Sequence, residues 1–107
     1  MSSIADFFGG LVAKVDPAKT TGMNAVYQFV INGDGGGQWY AKIADGKMEV
    51  ASGTAENPSI TLTCEAADWQ DIISGKLNGQ TAFLTGKLKI KGDMGLAMKL
   101  PSLFLAK

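Results

Sequence analysis

Apolar positions along this chain follow first a helical period, then an alternating one, then neither. Ile4, Phe7, Phe8, Leu11, Val12 and Val15 recur at i, i+3, i+4, i+7, i+8 and i+11, one stripe of an amphipathic helix. Ser2 or Ser3 is placed to cap it, and Asp16-Pro17 ends or bends it, because a residue before proline is pushed out of the helical region. Strand-like segments follow. Ala25–Ile31 (AVYQFVI) is rich in β-branched and aromatic residues, Asn32–Gly37 (NGDGGG) is a turn, and Gln38–Ala44 (QWYAKIA) is a second strand. Asp45–Lys47 is a tight Asp-Gly turn into a third strand, Met48–Gly53. Turns this short force antiparallel neighbours. After the loop Thr54–Pro58, Ser59–Cys64 (SITLTC) alternates as a fourth strand.

Helical spacing returns at Ala66, Trp69, Ile72 and Ile73, with Gly75 as the stop. Asn78 is placed to cap a short helix through Ala82-Phe83-Leu84, and Lys87–Lys91 alternates as a fifth strand. The last helix starts from Asp93 as N-cap and runs to about Leu100, before Pro101. It is apolar on more sides than a surface helix needs. Met94, Ala97 and Met98 form one row, and Leu96, Leu100 and Leu103 form another at i, i+4 and i+7. Two rows imply two apolar surroundings: the sheet, and a second that is core, partner or apolar ligand. Met suits a binding surface that must fit several shapes. The element order predicts an α+β fold, one five-stranded, mostly antiparallel sheet with helices packed on one face. At 107 residues the chain reads as a single domain spanning residues 1–107.

Composition changes the picture mainly by what is missing. There is no His and no Arg. The commonest acid–base catalyst and metal ligand is therefore absent, and so is bidentate recognition of phosphate or guanine. A net charge of zero also argues against nucleic-acid binding. The zero conceals an asymmetry: residues 76–107 carry six lysines against one acid, Asp93, whereas residues 1–75 carry four lysines against nine acids. Lys87, Lys89, Lys91 and Lys99 read either as a solvated face that protects an edge strand or as a docking surface for anionic lipid. No apolar run approaches the roughly 20 residues of a membrane span. The start lacks the basic region of a signal peptide, and Cys64 is alone, so the expected location is cytoplasmic.

Motifs for chemistry are thin. GDGGGQ has Gln38 where a dinucleotide fingerprint needs its third Gly, and a strand follows instead of a helix, so it reads as a hairpin turn. Asn32 and Asp34 do not extend into a calcium loop. Glu65, Asp68 and Asp71 sit where acids favour a helix dipole, and Cys64 has no His to activate it. No nucleophile, base and oxyanion donor assemble, so no enzymatic activity, cofactor or metal is expected.

Phe83–Leu100 (FLTGKLKIKGDMGLAMKL) closely resembles the signature of the sterol carrier, or non-specific lipid-transfer, protein family. Ser59–Leu88 and the hairpin Asp34–Lys47 extend the likeness, which is weakest over the first 24 residues. The resemblance implies an apolar tunnel between sheet and helices. It also implies binding and reversible membrane transfer of fatty acids, fatty acyl-CoA, phospholipids or sterol-like molecules. The chain lacks the peroxisomal Ser-Lys-Leu ending of eukaryotic members and has Pro101, Phe104 and Ala106 where relatives have a polar tail. That suggests a prokaryotic protein. Expected to line or gate the cavity are Trp69, Ile72, Ile73, Phe83, Leu84, Met94, Ala97, Met98, Leu103 and Phe104. Expected partners are a lipid or acyl-CoA ligand and a transiently touched membrane surface. The alternative is an accessory domain presenting a lipophilic substrate to a partner enzyme, and a third reading makes the last helix a homodimer interface.

Overall fold

The alternating segments form five strands in the computed structural model, which describes residues 4–11 and 21–100: β1 (Ala25–Asn32), β2 (Gly37–Ala44), β3 (Lys47–Ser52), β4 (Ile60–Glu65) and β5 (Leu88–Gly92). Among the described residues the helices are α1 (Ile4–Gly9), α2 (Ala66–Ile73), α3 (Gly79–Leu84) and α4 (Met94–Leu100). Every strand lies within one residue of its expected limits. Ile4, Phe7, Phe8 and Leu11 are buried, as the apolar stripe requires. The rest of that stripe (Val12, Val15), its Ser2 or Ser3 cap and Asp16-Pro17 lie outside the described residues.

Turn chemistry sets the strand order. Asp45 and Gly46 have φ of 53° and 77°, the pair of positive values that a two-residue hairpin turn matching strand twist demands. The glycine-rich stretch after β1 is likewise a hairpin turn, closed by the Gly36 amide donating to the Gly33 carbonyl at 3.0 Å. The sheet runs β3-β2-β1-β4-β5. β1–β2, β2–β3 and β4–β5 are antiparallel, and β1–β4 is parallel. The sheet is thus mixed but mostly antiparallel.

Register puts the apolar residues on one face. Tyr27 pairs with Ala41 and Ile60, Phe29 with Trp39 and Leu62, Leu62 with Ile90, and Cys64 with Leu88. On this inner face Phe8 of α1 stacks on Trp39 with ring centres 4.8 Å apart, and meets Phe29 at 5.0 Å. Trp69 of α2 meets Phe29 at 5.6 Å and Phe8 at 6.1 Å. Two helices and the middle strands thereby interlock through large rings, each contact adding about 0.5–1.5 kcal/mol beyond area burial. Among the described residues the Trp69 indole nitrogen has no hydrogen-bond partner, a cost of about 1–3 kcal/mol that this packing must exceed.

The outer face holds one anomaly. Alternation turns Gln28 away from the helices, yet it is buried. After β3 the chain must reach β4 on the far side of β2 and β1, and residues 53–59 make that crossing. Gln28 Nε2 donates to the carbonyls of Trp39 and Gly53, both at 3.1 Å, and its Oε1 accepts from the Ala55 amide at 2.7 Å. The Ser59 amide donates to the Val26 carbonyl at 2.9 Å, and the Val26 amide to Ser59 Oγ at 3.1 Å. Together these bonds fix where β4 enters beside β1. Gln28→Leu strands these backbone groups. It is expected to cost about 2–4 kcal/mol in denaturant unfolding and to remove hydrogen-exchange protection at the Ala55 amide.

Candidate functional site: an apolar groove at the sheet edge

The groove is built by two short helices and the edge strand between them. Asn78 Oδ1 accepts from the amides of Gln80 and Thr81 at 2.8 and 3.3 Å, which starts α3. Gly86, at φ 83°, and the Lys87 amide donating to the Ala82 carbonyl at 2.8 Å turn the chain from α3 into β5. Ala82 is buried and anchors the helix. Phe83 and Leu84, on its other sides, remain 38% and 74% exposed.

β5 supplies the floor through buried Leu88 and half-buried Ile90. Gly92 ends it at φ 120°, where a Cβ would lie 2.5 Å from the Ser59 carbonyl oxygen, so only glycine fits without displacement. Asp93 then starts α4: its Oδ1 accepts from the Gly95 amide at 2.8 Å, and its own amide donates to the Ser59 carbonyl at 3.1 Å. From the sheet, the Tyr27 hydroxyl donates to the Leu96 carbonyl at 2.9 Å. With the hydroxyl so placed, burial, and secondarily the negative charge of Asp93, push the Tyr27 phenol up to about 12. Leu96 and Ala97 are half-buried, whereas Met94 and Met98 are 47% and 84% exposed.

The resulting groove has a volume of ≈ 380 Å³. Gly79, Gln80, Phe83 and Leu84 form one wall, Leu88 and Ile90 the floor, and Met94, Ala97 and Met98 the other wall. Among the described residues the large apolar side chains that are exposed are Phe83, Leu84, Met94 and Met98, and all four belong to this groove. Five residues singled out from the sequence therefore meet here: Phe83, Leu84, Met94, Ala97 and Met98. Trp69 and Ile72 belong to the buried core cluster, which also includes Leu88 of the groove floor, and Ile73 packs against it; none of the three lines this groove. Leu103 and Phe104 lie outside the described residues. Lys87, Lys89, Lys91 and Lys99 are exposed. Leu88 and Ile90 were legible as the apolar positions of an alternating strand, but nothing in Gly79 or Gln80 pointed to a wall.

Among the described residues that line this space none carries an acid, a base or a thiol. Burial, helped by the charges of Asp68 and Glu65, pushes the Cys64 thiol up to about 11, so it stays protonated at neutral pH. Among the described residues no group of three or more His, Cys, Asp or Glu is placed to hold a metal ion.

Residues 9–105 match the model of the SCP-2 sterol transfer family. The chain belongs to this family. Hydroxysteroid dehydrogenase-like protein 2 of Xenopus tropicalis is 34% identical over 100 residues, covering 92% of this chain and 24% of that protein. Sterol carrier protein 2 of Gallus gallus is 40% identical over 86 residues, 78% of this chain and 16% of that protein. The solution structure of palmitated SCP2L2 from Aedes aegypti superposes with a TM-score of 0.74 at 30% identity, covering 92% of this chain and 91% of that one. The SCP-2 chain described here thus spans about a quarter or less of the length of these curated relatives.

Within this SCP-2 domain the Tyr27–Leu96 bond ties the groove's outer wall to the central strand. Tyr27→Phe keeps the ring and removes the bond, and is expected to cost about 1 kcal/mol in denaturant unfolding. The raised phenol favours the fold fully below pH 10, and that contribution is lost as pH rises toward about 12. Stability of the parent should fall over that range more steeply than that of Tyr27→Phe, and the last phenolate absorbance should vanish in the variant.

Proposed function

We propose that this chain binds a long-chain lipid in the groove between α3, β5 and α4 and exchanges it reversibly with membranes. One observation carries the reading: the exposed large apolar residues of the described structure gather around one groove, whose lining includes no acid, base or thiol. Its volume of ≈ 380 Å³ lies at the small end of ligand sites, about 300–1,000 Å³, and suits one acyl chain better than two. The tunnel implied by the family would be this groove closed over its guest.

The thermodynamics of a carrier follow from burial alone. Each methylene removed from water gains about 0.8 kcal/mol, so a sixteen-carbon chain gains on the order of 13 kcal/mol gross against free lipid in solution. A bilayer offers the same burial, so transfer between bilayer and groove is close to neutral. Adaptable walls of Met and short helices accept chains of differing length and saturation. Fatty acids and fatty acyl-CoA are the ligands this reading favours.

A second reading has its own support. The Xenopus relative is a dehydrogenase-like protein about four times the length of the matched region. In such a setting the domain would hold a lipophilic substrate for a neighbouring enzyme. Transfer between vesicles by this chain alone separates the two readings, since a presenting domain would need its enzyme.

Titration with palmitate or palmitoyl-CoA should shift backbone NMR signals of α3, β5 and α4 and leave those of β2 and β3 in place. Native mass spectrometry should show one bound lipid per chain. Ala97→Trp, which fills the groove from its wall, should lower affinity about tenfold or more with the fold retained. Absence of both bound lipid and any shift would remove the proposal.

A further inference from the structure

Among the described residues the methionines fall into two kinds. Met23 is buried, and Met48 is half-buried and packs against the core. Met94 and Met98 are instead 47% and 84% exposed, and stand one turn apart on α4. Both line the groove, and with Ala97 they make up its α4 wall. The sulfurs that solvent reaches most easily are therefore the sulfurs a guest must pass. Leucine at either position would be as apolar and would not react with mild oxidants. A thioether differs, because its sulfur lone pairs attack peroxide. Cys64 does not compete for the same reagent: it is buried, and burial, with the charges of Asp68 and Glu65, keeps its thiol protonated.

We propose that Met94 and Met98 are an oxidative modification site, at which hydrogen peroxide converts the thioethers to sulfoxides and closes the groove to lipid. The proposal rests on the reading of the groove as a lipid site and adds its regulation. In the step itself a sulfur lone pair attacks one peroxide oxygen. The O–O bond breaks, an S–O bond forms, and the second oxygen leaves as water after taking the proton of the first. Sulfur loses two electrons and the peroxide gains them. The product is polar where the thioether was apolar. In the empty groove each sulfoxide oxygen is hydrated. A guest must strip that water, and the lining offers one side-chain donor to replace it, the Gln80 amide on the opposite wall. The fold is untouched by the change. α4 is held by the Asp93 side chain on the Gly95 amide, by the Asp93 amide on Ser59 and by the Tyr27 hydroxyl on Leu96, none of which involves a methionine sulfur. The modification therefore acts on the guest and spares the helix.

The test uses the intact chain, hydrogen peroxide as oxidant and palmitate as probe. Peptide mapping by mass spectrometry should find sulfoxide at Met94 and Met98 well before Met23. Palmitate affinity should then fall about tenfold or more, while the denaturant midpoint stays in place. Methionine sulfoxide reductases should restore the affinity. The double variant Met94→Leu, Met98→Leu, whatever its starting affinity, should keep it through the same treatment. Affinity unchanged in a parent oxidised at both positions would overturn the proposal. So would an equal loss in the double variant, which would place the effect at another residue, or a loss that came with unfolding. A parent that binds no palmitate before peroxide is added would remove the lipid-site reading, and this proposal with it. Binding that survives oxidation would remove this proposal alone.

Discussion

The inner face of the sheet is apolar from β3 to β5, and among the described residues the helices do not fill it evenly. Over the middle strands, Phe8, Phe29, Trp39 and Trp69 interlock at ring separations of 4.8 to 6.1 Å. At the β5 end the covering elements are a six-residue and a seven-residue helix, which leave a groove of ≈ 380 Å³. Both the stability of the fold and its capacity for a guest follow from this uneven coverage. The rings secure the sheet, and the sheet then holds open an edge that could not fold alone.

The described residues that line the groove are apolar or uncharged. Catalysis needs groups whose charge or proton affinity is tuned beside the substrate. Among the described residues Tyr27 and Cys64 are both moved toward their neutral forms, Tyr27 while serving as a hydrogen-bond donor and Cys64 while packed in the core.

Much of this was legible in the residues. Asn78 and Asp93 read as caps and make the expected side-chain bonds, and Asp45-Gly46 reads as a hairpin turn and has the positive φ pair. The first strand followed from its β-branched and aromatic content, the next two from the turns that bound them, and the fourth and fifth from alternation. The doubly apolar last helix pointed to the groove, and five residues chosen there and on α3 meet in it. Trp69 and Ile72 show the limit. Their helical spacing identifies a buried face, but a face within the core cluster and a face lining the groove leave the same periodicity. Gln28 shows another. A polar residue at an outward strand position reads as solvent-facing, and only the path of residues 53–59 across that face explains its burial. The parallel β1–β4 pairing has the same origin, since a crossover connection carries no local signal.

The attachment of α4 completes the physical picture. The helix is fixed at its start by Asp93, whose side chain caps it and whose amide is held by Ser59, and one turn further by the Tyr27 hydroxyl on the Leu96 carbonyl. Ser59 also bonds Val26 of β1, so these restraints converge on the same central strands that the aromatic cluster stiffens. Beyond them, on the groove side, Met94 and Met98 contribute flexible unbranched side chains. Rigid backbone anchorage with deformable side chains lets the wall change shape at the scale of rotamers without unseating the helix. A cavity that needed the helix itself to unpack would spend several hydrogen bonds on each exchange. One that needs only methionines to rearrange would exchange a guest at little cost, as the carrier role proposed above requires.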